Sequence, residues 1–302
     1  MEIISVTPRG YCQGVVRAIQ IARKTTEEYP DTPITMLGMI VHNEFVVNAC
    51  RKMGIRFVEN AEKTRLELLD EVKEGVVIFT AHGISDEVRK KAEAKGLITV
   101  DASCPDVMKT HALVKQHTAK GYDVLYIGKK NHPESEGTVS LSNGVHLITK
   151  PEDLETLPPL NHPLITNQTT ISLLDAEKIM KACMEKYPNA VIAEEICNAT
   201  RMRQEAVMRL ENIDLLIVVG DRRSNNSRQL KEIGTKTGIP ETLLIDSVLD
   251  LKEEEIRDKK RIAVTAGSST PNNITKQVID FLKEYAETGI WNPPSSVNSE
   301  LF

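Results

Sequence analysis

Three cysteines occupy the same position in a threefold sequence repeat. Cys12, Cys104 and Cys197 lie at intervals of 92 and 93 residues. Each follows an apolar run typical of a β-strand and precedes a helical pattern, so each is expected at a strand-to-helix turn. The N-terminus of a helix favours the thiolate form of a cysteine. Equivalent positions in repeated units can converge on one axis, where three thiolates would make one metal site.

The chemistry of such a site depends on which metal three thiolates prefer. Three cysteines with no histidine in the same turns suit an iron–sulfur cluster in which one iron has no protein thiolate. Zinc is the alternative, although zinc sites usually contain a closely spaced pair such as C-x2-C, which this sequence lacks. Cys50 and Cys183 lie in helical stretches outside the repeat, and we interpret them as ordinary core residues.

Two sets of polar loops repeat along with the cysteines. One set follows Gly38, Gly128 and Gly220, and the other contains Thr80, Thr166 and Thr265. Ligands of α/β proteins bind beyond the carboxyl ends of strands, and helix N-termini there attract anions. These loops carry small donors: His42, His82, His132, Ser224, Asn225, Asn226, Ser268 and Ser269. They suit a phosphate or diphosphate held by histidine, serine, asparagine and backbone N–H groups.

Glu134 is the candidate proton donor. The sequence His132-Pro133-Glu134 restricts the loop, because proline fixes its own φ and biases the preceding residue to an extended conformation. A carboxyl group held beside a cluster could act as a proton relay, with Thr169 and Asn226 completing a hydrogen-bond chain. Most acidic loop residues are simply solvated, and we interpret Glu136 in that way. The histidines outside the repeated loops are interpreted as structural: His111, His117, His146 and His162.

The composition excludes several classes of protein. The net charge is −5 and aromatic residues make up 4% of the chain, so nucleic-acid binding is not expected. No apolar stretch reaches the roughly 18 residues of a membrane span. The N-terminus has neither the basic region nor the cleavage site of a signal peptide. Five cysteines in 302 residues do not make a disulfide framework, which favours a cytoplasmic protein.

Apolar runs alternate with amphipathic segments along the whole chain, which predicts a parallel α/β architecture. The predicted strands include Ile34–Leu37, Val76–Thr80, Ile98–Asp101, Asp123–Ile127, Leu164–Thr166, Leu215–Val219 and Ile262–Thr265. The predicted helices include Val15–Tyr29, Asp106–Lys120, Asp175–Tyr187 and Met202–Asn212. Repeats of about 92 residues favour three small units with one shared core.

The repeated motifs resemble one enzyme family, the 4-hydroxy-3-methylbut-2-enyl diphosphate reductases of the non-mevalonate isoprenoid pathway. The resemblance covers about residues 1–285 and rests on Gly10-Tyr11-Cys12-Gln13-Gly14-Val15, Ile40-Val41-His42-Asn43, Thr80-Ala81-His82-Gly83, Ser103-Cys104-Pro105, His132-Pro133-Glu134, Thr166-Asn167-Gln168-Thr169-Thr170, Ile196-Cys197, Ser224-Asn225-Asn226-Ser227 and Thr265-Ala266-Gly267-Ser268-Ser269. It implies three α/β units with small, mostly parallel sheets in a pseudo-threefold arrangement around a central cavity. The expected units are 13–97, 98–193, and 194–285 with the N-terminal strand 1–12, followed by a loosely held tail at 286–302.

The resemblance also implies a chemistry. Cys12, Cys104 and Cys197 would ligate a [4Fe–4S] cluster whose open iron binds the substrate hydroxyl. The diphosphate would be held by His42, His82, His132, Ser224, Asn226 and Ser269, with Asn225 as a further donor. Glu134, with Thr169, would deliver the proton that lets the hydroxyl leave as water. Electrons would come from a ferredoxin or flavodoxin, and the products would be isopentenyl and dimethylallyl diphosphate.

The chain departs from the family pattern at two places. The third polar loop reads Arg223-Ser224-Asn225-Asn226 where the common form is Asn-Ser-Ser-Asn, and Asn167 precedes Gln168 where threonine is usual. Two other functions stay open at this point. One is a non-redox iron–sulfur hydratase or dehydratase, and the other is a diphosphate-binding module with a structural metal.

Overall fold

In the computed structural model, residues 1–60, 62–160 and 162–297 are described, and they form an α/β fold. Their strands make three four-stranded sheets, in which every strand pair is parallel. The α/β prediction is therefore confirmed. The strands are β1 (Glu2–Ser5), β2 (Ile34–Leu37), β3 (Arg56–Val58), β4 (Val76–Phe79), β5 (Ile98–Asp101), β6 (Val124–Ile127), β7 (Val145–Ile148), β8 (Leu164–Asn167), β9 (Val191–Ile192), β10 (Leu215–Val219), β11 (Glu241–Ile245) and β12 (Arg261–Ala266).

Helices connect these strands throughout. The α-helices are α1 (Gln13–Glu28), α2 (Glu44–Lys52), α3 (Arg65–Leu68), α4 (Asp86–Ala94), α5 (Pro105–Thr118), α6 (Pro133–Val139), α7 (Leu173–Lys186), α8 (Asn198–Met208), α9 (Asn225–Lys236), α10 (Glu253–Ile256) and α11 (Asn272–Thr288). Short 3-10 helices cover Leu69–Glu71, Pro151–Thr156 and Val248–Asp250. The sequence-predicted helices correspond to α1, α5, α7 and α8, with ends that differ by a few residues.

The three sheets share one topology. Their strand orders are β3-β2-β4-β5, β7-β6-β8-β9 and β11-β10-β12-β1, which we call sheets B, C and A. In each sheet, the first and third strands of a repeat are the central neighbours, and the strand that leads to a cysteine forms one edge. For sheet A this edge strand is β1, from the start of the chain, which pairs with β12.

The sequence explains which strands are central. β4, β6 and β10 are continuous apolar runs, β2 is apolar apart from Thr35, and all four are buried along their whole length. Strands of parallel sheets covered on both faces have this composition. The edge strands are shorter or more exposed, and β9 has only two residues, both exposed.

The chain divides into two compact units. The first unit comprises Met1–Gln13, His42–Ala49 and the described part of Asn198–Phe302, and it contains sheet A. Its core packs β10 and β12 against α11. The second unit comprises Gly14–Val41 and Cys50–Cys197 and contains sheets B and C, each with its own buried clusters.

The three-unit division stays a prediction. A boundary between 97 and 98 would separate β5 from β4, its hydrogen-bonded neighbour in sheet B. The tail makes definite contacts in its described part. The Trp291 ring packs edge-on against Phe281 and Tyr285 of α11, and the Gln277 side chain donates to the Ser296 carbonyl at 2.9 Å.

Candidate active site

Each sheet has a topological switch point between its two central strands. Open α/β sheets bind ligands at such points, because the connections from the two strands leave in opposite directions. A hydrogen bond joins the two loops of each sheet. The Ala81 N–H donates to the Ile40 carbonyl at 3.2 Å in sheet B, the Lys129 N–H to the Gln168 side-chain oxygen at 3.0 Å in sheet C, and the Ser268 N–H to the Asn226 side-chain oxygen at 3.1 Å in sheet A. The two sets of polar loops therefore meet within each sheet.

The three repeated cysteines share a backbone environment. Their N–H groups donate to a carbonyl of the second polar loop: Cys12 to Ser268 at 3.1 Å, Cys104 to Ala81 at 2.9 Å and Cys197 to Thr169 at 3.1 Å. Each bond lies inside one unit. All three cysteines are half-buried and outside disulfides. Cys104 is the N-cap of α5, and its side chain does not cap the helix. Half-buried thiols at such turns fit a metal ligand set.

The other two cysteines have a different environment. Cys50 and Cys183 are fully buried, and burial raises the pKa of their thiols to about 12 and about 11. A buried thiol with a raised pKa stays protonated and does not ligate metal readily. Their surroundings agree with the core role inferred from the sequence.

Glu134 lies on α6 and is almost completely buried, with 2% of its surface exposed. One of its carboxylate oxygens accepts the Thr169 N–H at 2.7 Å, and the other accepts the Thr169 hydroxyl at 3.0 Å. Burial raises the pKa of Glu134 to about 7, although the two Thr169 donors oppose this change by stabilising the carboxylate. A carboxyl group with a pKa near neutrality can give up and recover a proton under physiological conditions.

Two predicted anion-binding histidines of the second unit lie together. The His82 and His132 rings meet edge to face with centroids 5.6 Å apart. His132 is the N-cap of α6, where its Nδ1 accepts the Glu134 N–H at 3.2 Å. In the neutral ring this bond places the hydrogen on Nε2, which can then donate to a ligand. Thr80 Oγ1 lies 3.3 Å from His82 Nδ1.

The predicted serine and asparagine donors of the first unit form a connected group. Ser224 is the N-cap of α9, and its oxygen accepts the Ser227 N–H at 3.3 Å. Asn226 accepts the Ser268 N–H at 3.1 Å. Ser269 donates its hydroxyl to the His42 carbonyl at 3.1 Å. The loops that carry His42, Ser224–Asn226 and Ser269 are thus joined inside this unit.

Arg223 holds this third polar loop in a way that the sequence did not indicate. Its guanidinium binds Asp221 at 2.9 and 2.6 Å and Glu44 at 2.8 Å. Asp221 also accepts the Arg223 N–H, and this partner lowers the pKa of the Asp221 carboxyl against the opposing effect of burial. Arg223 is therefore engaged by two carboxylates, and Asn225 behind it is 3% exposed. The position of Arg223 beside the predicted anion site did not indicate that it pairs with these two carboxylates.

Comparison with known proteins identifies the family. The family model described as LytB protein matches residues 3–283. The chain belongs to the LytB family. The chain is 47% identical over 304 residues to a 4-hydroxy-3-methylbut-2-enyl diphosphate reductase of Brevibacillus brevis, covering 99% of this chain and 97% of the relative. A reductase of the same name from Geobacillus thermodenitrificans is 48% identical over 289 residues, or 94% of this chain and 91% of the relative.

Solved structures agree with this LytB assignment. The E-1-hydroxy-2-methyl-but-2-enyl-4-diphosphate reductase from Plasmodium falciparum superposes with a TM-score of 0.88 at 31% identity, covering all of this chain and 94% of that chain. A structure of (E)-4-hydroxy-3-methyl-but-2-enyl diphosphate reductase, the terminal enzyme of the non-mevalonate pathway, gives 0.65 at 32% identity over 94% of this chain and 100% of that one. LytB proteins are iron–sulfur enzymes.

Among the described residues, no helix combines the length and the apolar character needed to cross a membrane.

Proposed function

We propose that this chain reduces 4-hydroxy-3-methylbut-2-enyl diphosphate to isopentenyl and dimethylallyl diphosphate. Its LytB membership and its similarity to reductases of that name support the substrate. The structural observation that carries the proposal is the buried Glu134 carboxyl, bonded twice to Thr169. Removal of a hydroxyl group as water needs a proton at the leaving oxygen, and Glu134 is a carboxyl suited to deliver it. The proposed compartment is the cytoplasm, in agreement with five cysteines outside disulfides in the described chain.

Cys12, Cys104 and Cys197 are the proposed ligands of a [4Fe–4S] cluster. Their common position in the repeat and their common bond to the second polar loop support this assignment. When bound, such a cluster would pass two electrons to the substrate one at a time and, at its iron without a thiolate, would supply a Lewis acid. The proposed source of these electrons is a ferredoxin or flavodoxin.

The diphosphate is the proposed ligand of the histidine, serine and asparagine side chains. These are His42, His82, His132, Ser224, Asn225, Asn226 and Ser269. The α9 N-terminus adds backbone N–H groups and a positive dipole end. Ser224 accepts the cap bond with its oxygen and retains its own hydrogen for a ligand. Because most of these donors are buried, they bind the anion without competition from water.

Glu134 acts in its protonated form. Its proton passes to the substrate hydroxyl, and the C–O bond breaks with its electron pair leaving on the water. The remaining allylic fragment takes up two electrons from the external donor and a second proton to become the product. The two Thr169 donors then stabilise the carboxylate that remains. His132 fixes the start of α6 by accepting the Glu134 N–H, so the anion site and the proton donor share one helix N-terminus.

Substitution of the cysteines tests this proposal. In protein purified without oxygen, Cys12→Ser, Cys104→Ser and Cys197→Ser should each lose iron, sulfide and turnover. Cys50→Ala and Cys183→Ala are matched controls and should retain all three, because both thiols are buried in cores. Turnover is followed as oxidation of a reduced viologen dye that depends on the allylic diphosphate.

The same assay separates the other candidate functions. A non-redox hydratase would bind iron but leave the dye reduced in the presence of the substrate. A diphosphate-binding module with a structural metal would bind the diphosphate without any turnover. Full iron content in one of the three serine variants would remove that cysteine from the ligand set.

A further inference from the structure

Arg17 contacts the turn that carries the second repeated cysteine. It lies in the second turn of α1, five residues after Cys12. Its guanidinium donates to the Ser103 carbonyl at 2.7 Å, one residue before Cys104. Both residues belong to the second unit. A cation near the start of a helix gains nothing from the helix dipole, which favours cations at the opposite end. The contact with Ser103 explains why an arginine lies near the start of α1.

Lys109 repeats this arrangement one step further along the chain. It lies on α5, five residues after Cys104. Its ammonium group pairs with the Glu195 carboxylate at 2.9 Å, two residues before Cys197. The Glu195 side chain is 11% exposed, whereas the lysine side chain is 69% exposed. This pair also lies within the second unit.

Arg203 closes the series. It lies on α8, six residues after Cys197, and is 4% exposed. Its guanidinium donates to the Gly10 carbonyl at 2.7 Å, two residues before Cys12, and to the Ala199 carbonyl at 2.8 Å. These residues lie in the first unit. Gly10 has a φ of +73°, and a Cβ at this position would lie 1.7 Å from the Asn272 side-chain oxygen, so the turn before Cys12 is tightly enclosed.

The three contacts form a cycle in the sequence. The helix after each cysteine supplies a basic side chain to the turn before the next cysteine, and the helix after the last returns to the first. We propose that Arg17, Lys109 and Arg203 are positioning residues that hold the three cysteine turns in the geometry a cluster requires. The inference rests on the proposed function, since it assumes that these cysteines are ligands.

The energetic order of the three contacts follows from their burial. Hydrogen bonds from a buried charged group contribute more to stability than exposed ion pairs do, because the contribution of an exposed pair is close to zero. Arg203 is buried and binds two carbonyls, Arg17 is half-buried and binds one, and Lys109 is largely exposed. The expected importance is therefore Arg203, then Arg17, then Lys109. If these residues contributed only to the overall stability of the fold, iron release would not depend on how close each side chain lies to a cysteine.

The test measures iron loss from the loaded protein. Arg203→Gln, Arg17→Gln and Lys109→Gln are purified without oxygen, and iron release to excess ferrous chelator is followed by absorbance. We expect release to accelerate about tenfold or more for Arg203→Gln, roughly threefold to tenfold for Arg17→Gln and at most about threefold for Lys109→Gln. Arg17→Lys keeps one charged donor and should restore most of the wild-type rate.

Arg209→Gln is the matched control. Arg209 follows α8 and pairs with Glu205 on the surface, with 76% of its side chain exposed. Release from the Arg203 and Arg17 variants at the rate of this control would refute the inference while leaving the proposed function intact. Equal acceleration in all four variants would also refute it. If Arg203→Gln does not fold, the comparison of Arg17→Gln with Arg17→Lys decides. A wild-type protein that binds no iron would refute the proposed function itself.

Discussion

The surroundings of the Glu134 carboxyl change its pKa in opposite directions. Burial opposes its ionisation, while the Thr169 N–H and hydroxyl stabilise the carboxylate. The balance leaves its pKa at about 7. An exposed glutamate has a pKa of about 4.3 and would be almost fully ionised at neutral pH. The protein therefore retains a substantial population of the acid form near neutrality.

Substitution of Glu134 tests this role. Glu134→Gln keeps the size of the side chain but removes the proton, so kcat should fall by about 100-fold or more while KM changes little. Glu136→Gln is the matched control. Glu136 lies two residues later, is exposed and accepts the Arg65 N–H at 3.0 Å, so its substitution should leave kcat close to wild type. Steady-state kinetics of both variants measure the difference, and a large rise in KM with unchanged kcat would contradict the assignment.

The pH dependence of the reaction follows from the same group. A general acid must be protonated, so turnover should be highest below the pKa of Glu134 and should decline as the pH rises through about 7. Glu134→Gln has no proton to lose, and its residual turnover should be independent of pH in this range. The measurement is kcat between pH 6 and pH 9. A wild-type profile that rises across this interval would indicate a base instead of an acid.

The residue types at the site could be predicted from the sequence, but their partners could not. The repeat located the cysteines, and the Pro133 restriction singled out Glu134. The contacts of Arg17 and Arg203 join residues 86 and 193 positions apart, and no local pattern indicates such contacts. The Arg223 network depends in the same way on Glu44, which is distant in sequence.

At the scale of elements, glycines set where several strands begin. Gly75 precedes β4 with a φ of +84°, and its carbonyl accepts the Ile98 N–H at 3.0 Å. A Cβ at this position would lie 2.1 Å from the Pro33 carbonyl oxygen. Backbone at that distance cannot move aside without disturbing the neighbouring strand. β4 leads directly to the loop that carries His82.

A pair of glycine substitutions separates crowding from backbone strain. Gly54 has a similar φ of +86° but open space where a Cβ would lie. Gly54→Ala should therefore lower the free energy of unfolding by only about 1 kcal/mol, the cost of a left-handed conformation in alanine. Gly75→Ala adds the clash with Pro33 and should cost about 3 kcal/mol or more. Urea denaturation of both variants measures the difference, and equal losses would contradict the crowding argument.

The elements were predictable to different degrees. Mainly apolar runs located the central strands β2 and β10 with the observed bounds. The edge strands β3, β7 and β11 were not among the predicted strands, because they are partly exposed and lack a continuous apolar run. Their pairing depends on the strands beside them and on burial against helices, which a single sequence does not display.

At the scale of the whole molecule, β1 and the described segment after α11 complete the first unit. β1 adds the edge strand of sheet A by pairing with β12. After α11, Trp291 folds back with its ring centroid 4.8 Å from that of Phe281 and 5.0 Å from that of Tyr285. The Arg261 guanidinium also binds Glu2 at 2.7 Å. The start of the chain and the segment after α11 are thus parts of one core.

Substitution of Trp291 tests the contribution of the C-terminal segment. Trp291→Ala removes two edge-to-face aromatic contacts and should lower the free energy of unfolding by about 3 kcal/mol. The neighbouring Ile290 is 67% exposed, so Ile290→Ala should change this free energy by no more than about 0.5 kcal/mol. Urea denaturation compares the two. A loss for Trp291→Ala as small as that for Ile290→Ala would mean that the segment adds nothing to this core.

The edge strands β1, β5 and β9 link each sheet to the repeat that follows it. Each of these strands completes one sheet and then runs through its cysteine into the helix that opens the next repeat. A segment that runs from one cysteine to the next therefore contains the four strands of one sheet, and the last of them is an edge strand. Its first helix follows the edge strand of the preceding sheet. Deletion of the segment containing β1 would leave β12 with an open edge, which is a template for aggregation. Sheet A therefore keeps its fourth strand only in a chain that retains β1.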